Sequence, residues 1–194
     1  MIGLNAKLDR RKKYTRMVLK DSLMSLLKEK QISSVTVKEL CERADINRST
    51  FYSHYSDPYD LLYSIEEEMI EDINETFSQY NYTKEEEALQ MTEVMLEYIV
   101  ANSEKCQILL SEHGDIAFQK RIMKIAQQFL MKNWLDVISF DKEDQALSEY
   151  ISMFVVSGSI HVVRNWLNNG MDQSPKEMAK IITDLTNNGL SSLR

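Results

Sequence analysis

The sequence predicts an all-α protein of about nine helices. Five glycines and two prolines in 194 residues leave few breaks, so long helices joined by few turns are expected. Apolar residues recur at helical spacing, and no segment carries a strand signal or belongs to an internal repeat. Capping signals bound most of the helical segments. With 43% hydrophobic and 27% charged residues, the composition is that of a globular protein.

The first three helices are predicted close together in the chain. Helix one should run from about Tyr14 to Lys30, with an inward stripe of Met17, Leu23, Met24 and Leu27. After the loop QISSV, Thr36 is placed to cap a second helix whose apolar face is Val37, Leu40, Cys41 and Ala44. Asp45 tolerates the left-handed conformation that a tight turn needs, and Ile46 should fill this turn from inside. Asn47 is placed to cap a short third helix.

The middle of the chain is predicted to hold one long helix and several shorter ones. Asp57 and Pro58 suit the N-cap and the first residue of helix four, which should reach about Gln79. A polar loop follows, and Thr83 with Glu86 matches a capping box that opens helix five. Later helices should be separated by breaks near Asn102, Gly114 and Asp141.

The last two helices carry clear terminal signals. Helix eight should start near Lys142 and end at the Asn-Asn-Gly of residues 168–170. Ser174 and Glu177 form another capping box, with Pro175 as the first residue of helix nine. A second Asn-Asn-Gly should close this helix at Gly189.

Charge is divided unevenly along the chain. Residues 1–55 hold 12 Lys and Arg against 6 Asp and Glu, a balance of +6, while residues 56–194 hold 11 against 24, a balance of −13. The basic end is therefore expected to meet a polyanion.

The stretch RADINRSTFYSHYSD, residues 43–57, indicates what that polyanion is. If residues 47–55 are helical, Phe51 and Tyr55 point inward. The side chains on the outer face and its flank are polar and include no carboxylate: Arg48, Ser49, Thr50, Tyr52, Ser53 and His54. Two short helices joined by a tight turn form a helix-turn-helix, here at about residues 35–54, whose second helix enters the DNA major groove. An arginine there matches the acceptors of guanine, and hydroxyl groups reach phosphates.

The stretch TVKELCERADINRSTFYSHYSDPYDLL closely resembles the DNA-binding domain of the tetracycline-repressor (TetR) family of bacterial transcription regulators. The strong match covers roughly residues 14–65. The resemblance implies that Thr36 and Lys38 contact phosphate, while Tyr52 and His54 hold the backbone from the far end of the recognition helix. The predicted DNA-binding set is Thr36, Lys38, Asn47, Arg48, Ser49, Thr50, Tyr52, Ser53 and His54.

Two positions depart from the family pattern. Asp45 stands where the family usually has glycine, and Pro58 stands where it often has a phosphate-binding lysine. The lost contact could be replaced by Tyr59 or by a basic arm of Arg10, Arg11, Lys12 and Lys13.

The resemblance also implies a domain plan and a homodimer. Residues 8–56 would form the DNA-binding domain, 57–79 the connecting helix and 80–194 the regulatory and dimerisation domain. Helices eight and nine would pair with a second copy through Ser157, Gly158, Ile160, Val163, Met178, Ile181, Ile182 and Leu185. A two-fold dimer places its recognition helices about 34–36 Å apart and reads a near-palindromic double-stranded operator.

An effector pocket is predicted from soft and aromatic residues, which adapt to varied apolar or amphipathic ligands. The candidates are Met95, Tyr98, Phe118, Phe129, Trp134, Tyr150, Phe154 and His161. Residues of this kind at helical spacing also fit a plain core, and the sequence leaves that alternative open.

Other function classes lack support. The chain has none of the nucleophile-elbow, zinc-protease or phosphate-loop motifs, so neither an enzyme nor a cofactor or metal site is expected. Cys41 and Cys106 should be reduced thiols in a cytoplasmic protein, and neither a signal peptide nor a membrane span is expected. A TetR-like co-activator that no longer binds DNA remains the alternative, and repression rests on the resemblance alone.

Overall fold

The computed structural model describes residues 2–78, 85–111, 114–134 and 145–191. Within these ranges it contains nine α-helices, one 3₁₀ turn at Ile32–Ser34 and no strand, which confirms the predicted all-α class. The α-helices are α1 (Ile2–Leu27), α2 (Val37–Ala44), α3 (Arg48–Tyr52), α4 (Pro58–Ser78), α5 (Glu85–Ala101), α6 (Ser103–Leu109), α7 (Ile116–Trp134), α8 (Gln145–Asn168) and α9 (Pro175–Ser191). The predicted end of helix four at Gln79, the cap at Thr83, the break at Asp141 and the start at Lys142 lie outside the described residues. No helix in these ranges is long and apolar enough to cross a membrane.

The chain forms two compact units, and the division falls inside α4. Unit 1 comprises Met1–Glu71 and Ser111–Asp115, and unit 2 comprises Asp72–Leu110 and Ile116–Arg194.

Unit 1 is built on a core shared by α1 to α4. Its most deeply buried side chains are Leu19, Leu23, Leu27, Leu40, Phe51 and Leu61. The predicted stripe on α1 was wrong at Met17, which is 49% exposed. Met17 and Leu19 lie roughly 200° apart around a helix, so once Leu19 faces the core Met17 must face out. The helix also begins at Ile2, well before the predicted Tyr14.

The start of α4 confirms its predicted cap. The Asp57 carboxylate accepts a hydrogen bond from the Asp60 N–H at 2.9 Å, and Pro58 is the first helical residue. The three glutamates at 66–68 of α4 differ in exposure. Glu66 is only 2% exposed, whereas Glu68 forms an ion pair with Lys20 of α1.

Unit 2 packs α5 against α9 and both α6 and α7 against α8. Its core includes Leu96, Leu109, Phe118, Trp166 and Leu167. Two polar side chains bond to backbone carbonyls near the end of α8. The Gln107 amide donates to Leu167 O at 2.8 Å, and the Trp166 indole N–H donates to Gln173 O at 3.0 Å.

The ends of α8 and α9 test three predicted signals. Gly170 has φ 81°, which confirms the glycine signal after α8. The α9 capping box is also confirmed, because Ser174 N–H donates to Glu177 at 2.9 Å and Glu177 N–H donates to Ser174 Oγ at 3.2 Å. The predicted stop at Gly189 was wrong, since α9 continues to Ser191. A glycine within a helix costs about 1 kcal/mol and does not by itself end it.

Candidate nucleic-acid interface

The turn between α2 and α3 has the predicted form. Asp45 adopts the left-handed conformation, with φ 52° and ψ 47°, and its N–H bonds to Cys41 O. The Ile46 N–H also donates to Cys41 O, at 3.0 Å. These bonds end α2, and the chain enters α3 after only three residues.

Packing holds α3 in place, since a helix of five residues is not stable alone. Phe51 is fully buried and Tyr55 is nearly so, with their ring centroids 6.2 Å apart. This anchoring fixes which face of α3 meets solvent. Arg48, Ser49 and Tyr52 are exposed as predicted.

The polar face of α3 is ordered by Asn47. As the N-cap, its side-chain Oδ1 accepts a hydrogen bond from the Thr50 N–H at 2.8 Å. The same oxygen accepts from Ser49 Oγ at 2.7 Å and from Thr50 Oγ1 at 2.8 Å. Ser53 is also exposed, and its Oγ donates to Thr50 O at 2.7 Å. The serine and threonine hydroxyl groups of this face are therefore already hydrogen-bonded within the protein.

Thr36 forms a capping box with Glu39 at the start of α2. Its hydroxyl donates to the Glu39 carboxylate at 2.8 Å, and its N–H donates to the same group at 3.0 Å. Lys30 bonds this carboxylate as well and, with Thr36, lowers the pKa of Glu39 to about 2. Thr36 could bond a phosphate through these groups only by releasing Glu39. Lys38 is more available, since its Nζ is 3.8 Å from Glu42 in an exposed pair of small energetic worth.

Basic residues of α1 lie near the C-terminal end of α3. His54 is half-buried, and its pKa is lowered by burial and then by the positive charges of Arg16 and Lys12. Arg16 is exposed and is missing from the predicted DNA-binding set. Its spacing of four residues from Lys12 on one helix is the signal that could have identified it. The predicted Arg10, Arg11, Lys13 and Tyr59 are exposed too.

The predicted effector residues do not share one environment. Phe118 is fully buried in unit 2, while Met95 and Tyr98 are half-buried. The Tyr98 hydroxyl donates to the Asp72 carboxylate of α4 at 3.2 Å. Tyr150, Phe154 and His161 are exposed, so within one chain they are surface residues. The side chains of Phe129 and Trp134 lie outside the described part of the structure.

The predicted dimer residues divide in a similar way. Val163 and Met178 are buried within one chain and belong to its core. Ser157, Ile160 and Ile182 are half-buried, while Gly158, Ile181 and Leu185 are exposed. Further exposed apolar residues on α8 are Tyr150, Met153, Phe154 and Val162.

Comparisons with known proteins agree with the fold. A TetR-type family model for the transcriptional regulator C-terminal region matches residues 86–188, more than half of the chain. The HTH-type transcriptional regulator YxbF of Bacillus subtilis is 20% identical over 171 residues, which cover 86% of this chain and 43% of that protein. The chain thus spans less than half the length of that relative.

Solved structures of similar fold include other regulators. A TetR transcriptional regulator from Streptococcus agalactiae 2603V matches 94% of this chain and 98% of its own, with 22% identity and a TM-score of 0.68. FadR from Bacillus subtilis, in complex with stearoyl-CoA, matches 88% of this chain and 96% of its own, with 14% identity and a TM-score of 0.63. The family match, together with an all-helical fold that carries a helix-turn-helix, gives the conclusion. The chain belongs to the TetR family of DNA-binding transcriptional regulators.

Proposed function

We propose that this regulator binds a near-palindromic operator as a homodimer and represses transcription until a small-molecule effector releases it. The single observation that carries the proposal is the exposed face of α3. It presents Arg48 and Tyr52 to solvent without a carboxylate, on a helix anchored by buried Phe51. A surface of this kind suits the edges of bases in the major groove.

The roles differ along the face. Arg48 stands at the first position of α3, where a recognition helix usually approaches base edges, and we propose that it pairs with guanine. Tyr52, His54, Lys38 and the basic residues of α1 would contact phosphates and fix the register. In this proposal α1, α2 and α3 form the DNA-binding domain within unit 1, and unit 2 dimerises and binds the effector.

The dimer is supported by the exposed apolar surface of unit 2. Phe154 is 81% exposed, Tyr150 71% and Leu185 68% in one chain. Aromatic side chains with such exposure are typical of protein interfaces, where they supply most of the binding energy. Gly158 lies four residues beyond Phe154 on α8, and its missing side chain would let a second helix approach. We therefore assign Tyr150 and Phe154 to the dimer surface instead of the effector pocket.

The effector proposal rests on what remains inside unit 2. Phe118, Met95 and Tyr98 combine apolar and aromatic surface with one hydroxyl group. FadR of Bacillus subtilis has a similar fold and is in complex with stearoyl-CoA. An apolar or amphipathic effector is therefore proposed for this chain as well. It would act by binding better to the conformation whose recognition helices do not fit the operator.

Selection from randomised DNA tests the groove-reading proposal. The full chain is used to select duplexes, and the selected duplex is then titrated against wild type and Arg48→Ala at several salt concentrations. Arg48→Ala should cost about 1–3 kcal/mol on the selected site and little on random DNA. Lys180→Ala, which removes an exposed charge on α9, is the matched control and should leave both affinities unchanged.

Two results would oppose the proposal. If wild type selects no sequence at any salt concentration, the groove-reading proposal fails and the co-activator alternative replaces it. If the protein raises transcription from a promoter that carries the selected site, the proposal of DNA reading is retained and the proposal of repression is rejected.

A further inference from the structure

Three hydroxyl groups around α3 have their protons already engaged within the protein. Ser49 Oγ and Thr50 Oγ1 both lie within hydrogen-bond distance of Asn47 Oδ1, at 2.7 and 2.8 Å. Ser53 Oγ lies 2.7 Å from the backbone oxygen of Thr50. The direction of these bonds determines what the surface can offer to DNA.

The direction follows from the backbone. The Thr50 N–H donates to the same side-chain atom of Asn47 at 2.8 Å, so that atom must be the amide oxygen and not the nitrogen. An amide oxygen only accepts, and therefore both hydroxyls donate to it. Three donors then share its two lone pairs, as multi-centred bonds at helix ends commonly do.

A hydroxyl group whose proton is already donated in one hydrogen bond can still accept another through its oxygen. Phosphate oxygens carry no proton to donate, so these oxygens are poor partners for the DNA backbone. The major groove offers donors only at the exocyclic amino groups, N6 of adenine and N4 of cytosine. Guanine and thymine present a carbonyl oxygen at the equivalent place, which would face the hydroxyl oxygens without a proton between them.

We propose that Asn47 is a positioning residue that fixes Ser49 and Thr50 as hydrogen-bond acceptors, so that the operator carries an adenine or cytosine amino group opposite them. This inference rests on the proposed groove-reading function and adds a rule for one part of the operator. Arg48 reads acceptors and the two hydroxyls read donors. Asn47 thus takes part in specificity without touching a base.

The experiment repeats the selection from randomised duplexes with the full chain and its variants. Ser49→Ala and Thr50→Val remove one hydroxyl each, so the base position whose preference they relax marks the contact. On one strand, wild type should prefer adenine or cytosine there. Replacing a selected adenine with purine, which lacks only the amino group, should then weaken wild-type binding about three- to ten-fold. The same replacement should leave binding by the doubly substituted protein unchanged.

Two substitutions separate positioning from simple helix capping. Asn47→Gly keeps a residue that is tolerated at an N-cap but releases both hydroxyls, which can then donate to a carbonyl. This variant should accept guanine or thymine at the marked position. Asn47→Asp keeps the accepting oxygen, so it should retain the amino preference while its added negative charge weakens binding to all sequences alike.

The outcomes are distinguishable from those of the proposed function. If removal of the amino group costs nothing, or if Asn47→Gly binds more weakly with an unchanged preference, Asn47 is only a cap and the inference is overturned. If wild type selects no sequence at all, the groove-reading function fails and the inference fails with it.

Discussion

Two exposed surfaces of this protein are built from opposite chemistry. In unit 1, the α3 surface consists of a guanidinium group, hydroxyl groups and a phenol, with Tyr52 58% exposed. In unit 2, the exposed side chains of α8 and α9 include aromatic and aliphatic carbon at Tyr150, Phe154 and Leu185. Both sets of side chains are exposed to solvent in one chain, but the first offers far more groups that can hydrogen-bond with water.

The two surfaces suit different kinds of partner. Polar side chains are already hydrogen-bonded to the protein or to water, so covering them gains little free energy by itself. A partner must therefore replace these bonds with matching donors and acceptors. An exposed apolar patch gains free energy whenever it is covered, with little dependence on direction. The exposed fraction of a side chain therefore does not identify its partner. The chemistry of the exposed atoms supports the proposal that α3 meets DNA and that the apolar residues of unit 2 meet a second copy.

The largest change in stability is expected from removing the buried Phe51 side chain that holds α3 in place. Phe51→Ala empties a fully buried site under α3 and should lower the free energy of unfolding of unit 1 by about 3–5 kcal/mol. Tyr52→Phe keeps the ring that packs edge-on against Phe51, so it should change stability by less than about 0.5 kcal/mol. Urea unfolding followed by circular dichroism measures both. Equal stability of the two variants would contradict the anchoring described for α3.

The next largest effect is expected on dimerisation, from a substitution on α8 that leaves the surface of α3 unchanged. Phe154→Glu places a charge where a second copy is proposed to pack and should weaken dimerisation by about 2–4 kcal/mol. Sedimentation equilibrium measures the dissociation constant, while thermal unfolding checks that the fold is retained. Lys180→Glu on α9 is the control for added negative charge. A Phe154→Glu protein that remains as dimeric as wild type would place the interface elsewhere.

A smaller effect is expected at Arg16, where a substitution should change the affinity for DNA without changing the sequence preference. Arg16→Gln should reduce the slope of log affinity against log salt by about one and weaken binding to all sequences alike, because one phosphate contact is lost. Lys176→Gln on α9 should change neither quantity. An altered base preference in Arg16→Gln would mean that Arg16 reads a base instead.

The smallest effect compares the two capping boxes, one in each unit. Hydrogen bonds from Lys30 and then from Thr36 lower the pKa of Glu39 from 4.5 to about 2. The stabilisation is therefore present above pH 4.5 and is lost as pH falls through about 2. The pKa of Glu177 is also lowered, by its hydrogen bonds with Ser174 and with no lysine contributing. Urea unfolding at several pH values should therefore find Glu39→Gln less stable than wild type at pH 7 and no different near pH 2. Glu177→Gln should differ less at pH 7, and a difference for Glu39→Gln that persists near pH 2 would contradict the charge-based account.

Local signals made much of the fold predictable. Asp45, Asn47, Asp57 and Ser174 each act through hydrogen bonds to residues within four positions, so their roles can be inferred from neighbouring letters. The inward direction of Phe51 also follows from a short periodic pattern. The candidate DNA-binding surface could be outlined from the sequence because it lies on these local elements.

Local patterns were insufficient for residues whose environment depends on distant helices or on another copy of the chain. Met17 faces solvent although the periodic pattern placed it inside, because the buried Leu19 and Leu23 determine which side of α1 faces the core of unit 1. Tyr150 and Phe154 were assigned to a pocket, although apolar character does not say whether a side chain meets its own chain or another copy. The hydroxyl directions set by Asn47 were equally hidden, since they depend on atomic geometry.

The indole of Trp166 gives this molecule a built-in optical reporter. The chain has two tryptophans, Trp134 and Trp166, and both belong to unit 2. Trp166 is buried, and its N–H is bonded to Gln173 O in the connection between α8 and α9. Substitution of Trp134 by phenylalanine would leave Trp166 as the one tryptophan. Its emission maximum should shift to longer wavelength when that connection unfolds and the indole becomes exposed to water. Unit 1 contains tyrosines but no tryptophan, so tryptophan emission can follow unit 2 alone while circular dichroism follows both.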